Sequence, residues 1–379
     1  YDFWGKPDDF IESALATEMG LLKAMGCNSI RAYVGIPPRW VEYIWENYGI
    51  YTILNHPVAR WGATIDGIWV PVTDYSDPKL RAVVVDEVRA MVKEFKDVPG
   101  VLMWMLGNEN NYGLSWSSFE IEALPEGEQN TGRARFLYSL MGELIDEIHA
   151  LDDKRPVSMA NGDIQYLDII AEEVPNLDIF GTNQYRGRSV GDMNQRVKDA
   201  MNIPLCYAEF GADAFNARTM SEDQTTQARY LIAQWQEIYE RSYGKGQEGN
   251  HIGGMIFQWA DGWWKVRQTE RLDIHDTNAS WPNGAYVEDF VEGENNMNEE
   301  WWGICAKGPT NAQGFFQLYP RAAYYALADA FRLDPYAPDT DVAKIRTHFG
   351  ALSSSGAALQ ARGDKAALSA SASEMVRVS

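Results

Sequence analysis

The chain has 379 residues, 45% of them hydrophobic, and its 33 basic against 54 acidic side chains give a net charge of −21. That length and apolar content support a large core and exclude a disordered chain. The charge argues against nucleic acid and anionic membrane surfaces, whose phosphates it would repel. No apolar run reaches the roughly 18 residues of a membrane span, which leaves a neutral substrate as the expected partner. A secreted or periplasmic setting fits this balance, with a cytoplasmic one as the alternative.

The elements follow in a regular rhythm. Residues 8–25 read as an amphipathic helix with Ile11, Leu15, Met19, Leu22 and Met25 at three- and four-residue spacing, ended by Gly26. Asn28 to Val34 reads as a strand, and Pro37 and Pro38 open a helix through Asn47. Then come a strand at Ile50 to Asn55, a helix over 79–97, and a strand at Val101 to Leu106. Helices over Arg133 to Leu151, Gln165 to Glu173, Gly191 to Met201 and Glu222 to Tyr243 alternate with strands at Pro156 to Ala160, Asp178 to Asn183, Leu205 to Glu209 and Ile252 to Trp259. A loop over 261–319 precedes a last helix at Arg321 to Phe331.

Strand–helix alternation at this spacing means a parallel sheet covered by helices, and short apolar strands are those buried on both faces. With a helix ahead of the first of seven strands, the α/β class expected is a (β/α)8 TIM barrel whose first strand is absent and belongs ahead of Tyr1. A doubly wound open sheet is the alternative, but no glycine-rich nucleotide fingerprint follows any strand. Residues 1–334 are then the catalytic domain. Residues 335–373, Pro- and Asp-rich and then dominated by Ala and Ser, read as a linker, and 374–379 as the start of a further β domain.

Three cysteines (Cys27, Cys206, Cys305) make no disulfide framework. Five histidines without HxH or HExxH spacing point away from a catalytic zinc site, so neither a metal nor a redox cofactor is expected. Fourteen Trp and nineteen Tyr are a more telling excess, since aromatic faces stack on the C–H faces of sugars as well as filling cores.

Two stretches carry the chemistry. Val101 to Tyr112 (VLMWMLGNENNY) is an apolar run that ends in Glu109 among amides, and Pro204 to Phe210 (PLCYAEF) delivers Glu209 in the same way. A barrel of about 250 residues spends roughly 31 per βα unit, so three units take about 94. Glutamates 100 positions apart therefore suit strands 4 and 7, across one mouth from each other. Two carboxyls so placed divide the work of glycosidic cleavage, one as proton donor and the other as nucleophile. The competing reading is two strand-end carboxylates paired with arginines. The loop over 261–319, with five tryptophans, reads as a wall of the cleft, and His56, Arg60 and Trp61 as its counterpart after the third barrel strand.

GNE ending one strand and AEFGADAFN (208–216) at the other resemble the clan of retaining (β/α)8 glycoside hydrolases, most nearly the catalytic barrel of glycoside hydrolase family 2. LLKAMGCNSIRAYV (21–34) is similar to that family's helix 1–strand 2 region. The resemblance implies Glu109 as acid/base and Glu209 as nucleophile. It further implies Asn108 as partner of the sugar 2-hydroxyl, Arg31 and Tyr185 as partners of the nucleophile, and Trp259 as the platform under the sugar. His56 and Trp263 complete the expected substrate contacts. LNHP (54–57) and the 261–319 loop depart from the family pattern. The function expected is a retaining β-glycoside hydrolase acting on neutral β-glucans or β-galactosides. A β-glucan transglycosidase of the same clan and a non-catalytic glycan-binding barrel are the alternatives.

Overall fold

The computed structural model describes residues 5–33, 35–262, 275–310 and 312–378. Helix α1 (Asp8–Met25) buries the face expected and ends at Gly26, whose φ of 92° is left-handed. Strand β1 (Ser29–Ala32), helix α2 (Pro38–Tyr48) and strand β2 (Tyr51–His56) follow. A small hairpin, β3 (Ala63–Ile65) and β4 (Ile68–Val70), interrupts the loop before α3 (Pro78–Phe95), which Asp77 caps and Pro78 opens.

The chain continues through β5 (Val101–Leu106), α4 (Phe119–Glu122), α5 (Gln129–Leu151), β6 (Val157–Met159), β7 (Asn161–Gly162), α6 (Leu167–Glu173), β8 (Phe180–Asn183), α7 (Met193–Met201) and β9 (Leu205–Phe210). Two short strands, β10 (Phe215–Asn216) and β11 (Ser221–Glu222), pair before α8 (Gln224–Glu240) and β12 (His251–Ile256). The expected 261–319 loop contains an antiparallel hairpin, β13 (Cys305–Thr310) with β14 (Phe316–Pro320), and α9 (Ala322–Ala330) follows.

The barrel strands form two parallel sheets, ordered β1-β2-β5-β6 and β12-β9-β8-β7. They meet where β6 and β7 run on in one line and Ser158 bridges to Ile179. On the other side β1 and β12 face each other across a cavity of about 1000 Å³, and among the described residues no strand lies between them. Residues of β1 are all half-buried, whereas every residue of β9 is buried, as strands with and without an unpaired edge should differ.

Side chains alternate across the strands. Ile53, Met103, Met105, Ile179, Cys206 and Ala208 fill the barrel interior, while Leu54, Trp104, Leu106 and Tyr207 pack outward against the helices. The three cysteines are free, and among the described residues no helix is long and apolar enough to cross a membrane.

The expected linker over 335–373 is instead largely helical, in α10 (Val342–Gly350) and α11 (Ser354–Val378). Asp341 caps α10 by accepting from Lys344 N at 2.7 Å. In α11, Ala357, Ala358 and Ala361 are buried on one face, and the helix lies on α8 and α9. An Ala-rich segment is linker-like in polarity but carries the highest helix propensity, and its small side chains allow close packing. Residues 374–378, expected to open a β domain, continue the same helix.

Candidate active site

The site begins with the alternation in β1. Ser29 Oγ lies against Met255 Sδ inside the barrel, and Arg31 and Tyr33, two and four residues on, share that face. Arg31, with a side chain only 2% exposed, pairs through Nη1 with Glu209 Oε1 at 3.2 Å. Its Nε and Nη2 donate to Asn55 Oδ1 at 3.0 and 2.5 Å, and Nη2 also donates to Asn108 Oδ1 at 2.9 Å. Asn55 is held in turn by donating to the Met105 and Gly107 carbonyls at 3.2 and 2.8 Å. One buried guanidinium thus connects the ends of β1, β2, β5 and β9.

Glu209 does not follow the simple alternation of its strand. Thr182 pairs with Tyr207 but Asn183 with Glu209, so β9 bulges by one residue there. A bulge re-aims the side chain after Ala208 into the mouth. Its carboxylate accepts from the Tyr33 hydroxyl on Oε1 at 2.5 Å and from the Tyr185 hydroxyl on Oε2 at 2.9 Å. Tyr185 packs edge-on against Trp302 and Trp281, with ring centroids 4.9 and 6.1 Å away.

Glu109 is aimed by the GNENN run. Gly107 turns the chain at φ 75°, where a Cβ would meet Asn110 Oδ1 at 2.7 Å and the Met141 methyl at 2.8 Å. Glu109 itself sits in the left-handed region at φ 55°, an unusual conformation for a side-chain-bearing residue. The amides that follow hold it there. Asn110 accepts from Asn108 N at 2.8 Å and donates to the Val58 carbonyl and the Tyr75 hydroxyl at 2.8 and 2.7 Å. Asn111 exchanges hydrogen bonds with the backbone of Gly162 at 2.8 and 2.9 Å.

Asn183 joins the two halves. Its Nδ2 donates to Asn108 Oδ1 at 3.0 Å and to Glu109 Oε1 at 3.2 Å. With Asn108 Oδ1 occupied by Arg31 and Asn183, the Asn108 amide NH2 is left to donate to a ligand. Burial, then the nearby Glu209 charge, raise the Glu109 pKa above the ordinary carboxylate value. A carboxyl with a raised pKa beside a hydrogen-bonded carboxylate is the pairing that two-carboxylate chemistry requires.

Glu109, Glu209, Arg31, Asn108 and Tyr185 therefore converge as expected, while His56 does not. His56 lies one residue past Asn55 and so points outward with Leu54. Its Nδ1 accepts from Val58 N at 3.2 Å, and its Nε2 faces Glu87 on α3 at 3.4 Å. Trp259 donates through Nε1 to Glu18 on α1 at 3.1 Å and lines the same cavity as Arg31, Tyr33 and Glu209. Trp263 lies outside the described residues.

Asn55, Tyr33 and Asn183 were not singled out from sequence. Each sits at or beside the end of an apolar strand with the parity of an interior residue, and that alternation is the signal that would have found them.

A barrel with two glutamates at one mouth, at the ends of its fourth and seventh strand positions, defines the class as a glycosidase-type (β/α)8 fold. The family model "Glycosyl hydrolases family 2, TIM barrel domain" matches residues 8–270, and the chain belongs to that family. A β-galactosidase of Actinobacillus pleuropneumoniae is 21% identical over 271 residues, covering 64% of this chain and 22% of that protein.

Among solved structures, a Bifidobacterium dentium β-glucuronidase complexed with coumarin-3-O-glucuronide matches with TM-score 0.51 at 18% identity, over 87% of this chain and 44% of its own. An Eisenbergiella tayi β-galacturonidase bound to galacturonate matches with TM-score 0.52 at 18% identity, over 86% and 48%. At these identities the structures speak for the fold. The chain spans less than half the length of each of these three relatives.

Proposed function

We propose that the protein is a retaining β-glycoside hydrolase acting on neutral β-linked oligo- or polysaccharides, with Glu109 as acid/base and Glu209 as nucleophile. The observation that carries this reading is the network from Glu209 through Arg31, Asn108 and Asn183 to Glu109, which holds both carboxyls at one mouth. In the first step a Glu209 oxygen bonds to the anomeric carbon as the glycosidic bond breaks, and the leaving oxygen takes the Glu109 proton. In the second, Glu109 removes a proton from water, which attacks the same carbon and releases Glu209. The Asn108 amide donates to the sugar 2-hydroxyl, a contact worth most in the transition state.

Neutral substrates are favoured by how two arginines past the sixth barrel strand are spent. Arg186 is paired twice with Asp163, at 2.8 and 2.5 Å, and Arg188 with Glu288, so neither is free to receive a uronic carboxylate. A secreted or periplasmic location accords with polymeric substrates.

The test is a panel of aryl β-glycosides and β-linked oligosaccharides, followed by NMR to read product stereochemistry. The expected result is turnover of glucosides or galactosides with a β-configured first product. An α-configured first product would remove the retaining mechanism, and a preference for glucuronides would remove the neutral substrate.

A further inference from the structure

Glu209 has two phenols rather than one, and they divide its oxygens. Among the described residues, Oε2 accepts only from Tyr185, at 2.9 Å. Oε1 accepts from Tyr33 at 2.5 Å and from Arg31 at 3.2 Å. Tyr33 is pre-positioned for this: the Arg31 guanidinium lies 4.2 Å from its ring centroid, and Arg31 Nη1 is 3.5 Å from its oxygen. The nucleophilic oxygen must direct a free lone pair at the anomeric carbon, and Oε2, with a single donor, is the better supplied. Oε1 then becomes the carbonyl oxygen of the glycosyl ester.

We propose that Tyr33 is a catalytic residue of the second half-reaction, acting on Glu209 as a leaving group. This inference rests on the glycosidase reading above. As the ester forms, charge leaves Oε1 and the hydrogen bonds to it weaken. As water attacks the anomeric carbon, the bond from that carbon to Oε2 breaks. Its electron pair returns to the carboxylate, and the proton of the water goes to Glu109. Charge reappears on Oε1, where Tyr33 and Arg31 already point. A short charge-assisted hydrogen bond made to the carboxylate but not fully to the ester stabilises release and opposes attack. Burial and the Glu209 charge hold the Tyr33 phenol well above its usual range, so it remains a donor. Tyr185 acts on the other oxygen and cannot replace it.

The two half-reactions are separated by trapping the protein with 2-deoxy-2-fluoro-β-glucosyl or -galactosyl fluoride, removing excess reagent and following the return of activity. For Tyr33→Phe the expected result is reactivation about 10- to 100-fold slower than wild type, the size of a lost hydrogen bond to a charged group, with inactivation as fast or faster. With a dinitrophenyl β-glycoside, the same variant shows a burst of one equivalent, and kcat and KM fall together. Site-specific 2,3-difluorotyrosine at position 33 keeps the shape, sharpens the donor and speeds reactivation, so the question survives a poorly folding phenylalanine variant. Unchanged reactivation in both variants, or slowed inactivation with normal reactivation, overturns the role of Tyr33. Wild-type protein that neither fluoride labels and that hydrolyses no aryl glycoside overturns the glycosidase reading on which it rests.

Discussion

Arg31 Nη2 donates to Asn108 Oδ1 at 2.9 Å while Nη1 of the same guanidinium pairs with Glu209 Oε1, so the cation that faces Glu209 also fixes the residue before Glu109. Only a planar, forked donor reaches both together with Asn55. Arg31→Lys keeps the charge and loses the fork. The expected loss in kcat/KM is about 10²- to 10³-fold, in line with removal of a preorganised electrostatic contact. Circular dichroism should show the fold retained. A lysine variant within a few-fold of wild type would mean that charge alone suffices.

Glu109 makes a prediction about stability as well as rate. Its pKa is raised in the folded state, chiefly by burial. The folded protein therefore holds that proton more tightly than the unfolded chain does. The resulting stability is fully present below the unfolded carboxylate range and is lost as pH rises through the folded value. Glu109→Gln, neutral at every pH, should then melt above wild type at neutral pH, with the gap closing in acid, while turnover of unactivated glycosides collapses. Melting curves from pH 4 to 8 check this. A variant less stable than wild type at neutral pH would contradict the burial account.

The turn before Glu109 has no room for a methyl group. Gly107→Ala puts a side chain at φ 75°, 2.7 Å from Asn110 Oδ1. The variant should lose about 1–3 kcal/mol of stability and, because Asn110 positions Asn108, lose kcat as well. Asn110→Ala should reproduce the kinetic defect without the glycine strain. Kinetics and urea melts on both variants would separate the two effects.

His56 faces Glu87 on α3, and Trp259 is tied to Glu18 on α1. His56→Ala and Trp259→Phe should leave KM for an aryl glycoside close to wild type and show their effect in melting temperature, since each removes a contact to the helix layer. Tyr185→Phe, by contrast, should lower kcat. A marked rise in KM for the Trp259 variant would place that ring under the sugar after all.

Alternation of strands and helices and the strand ends bearing Glu109 and Glu209 were legible in the sequence. They depend on local hydrophobic pattern and on spacing along the chain. The errors have a different origin. His56 and Asn55 are neighbours of equal polarity, and only the parity of β2, anchored by Ile53 inside and Leu54 outside, tells which enters the barrel. Read from β9 alone, the same parity would have turned Glu209 outward, because the bulge opposite Asn183 exists only in the paired sheet. The tail past residue 334 was misread because Ala-rich composition is shared by linkers and by helices that find a surface to pack on.

If Glu209 attacks the sugar, it carries the glycosyl group between the two half-reactions. Inactivation with a 2-deoxy-2-fluoro-β-glycosyl fluoride, proteolysis and tandem mass spectrometry of the labelled peptide test it most directly. A single fluoroglycosyl ester on Glu209 is expected, with Glu109 unmodified and the label absent from Glu209→Ala. A label on Glu109 or on any other carboxylate would contradict it.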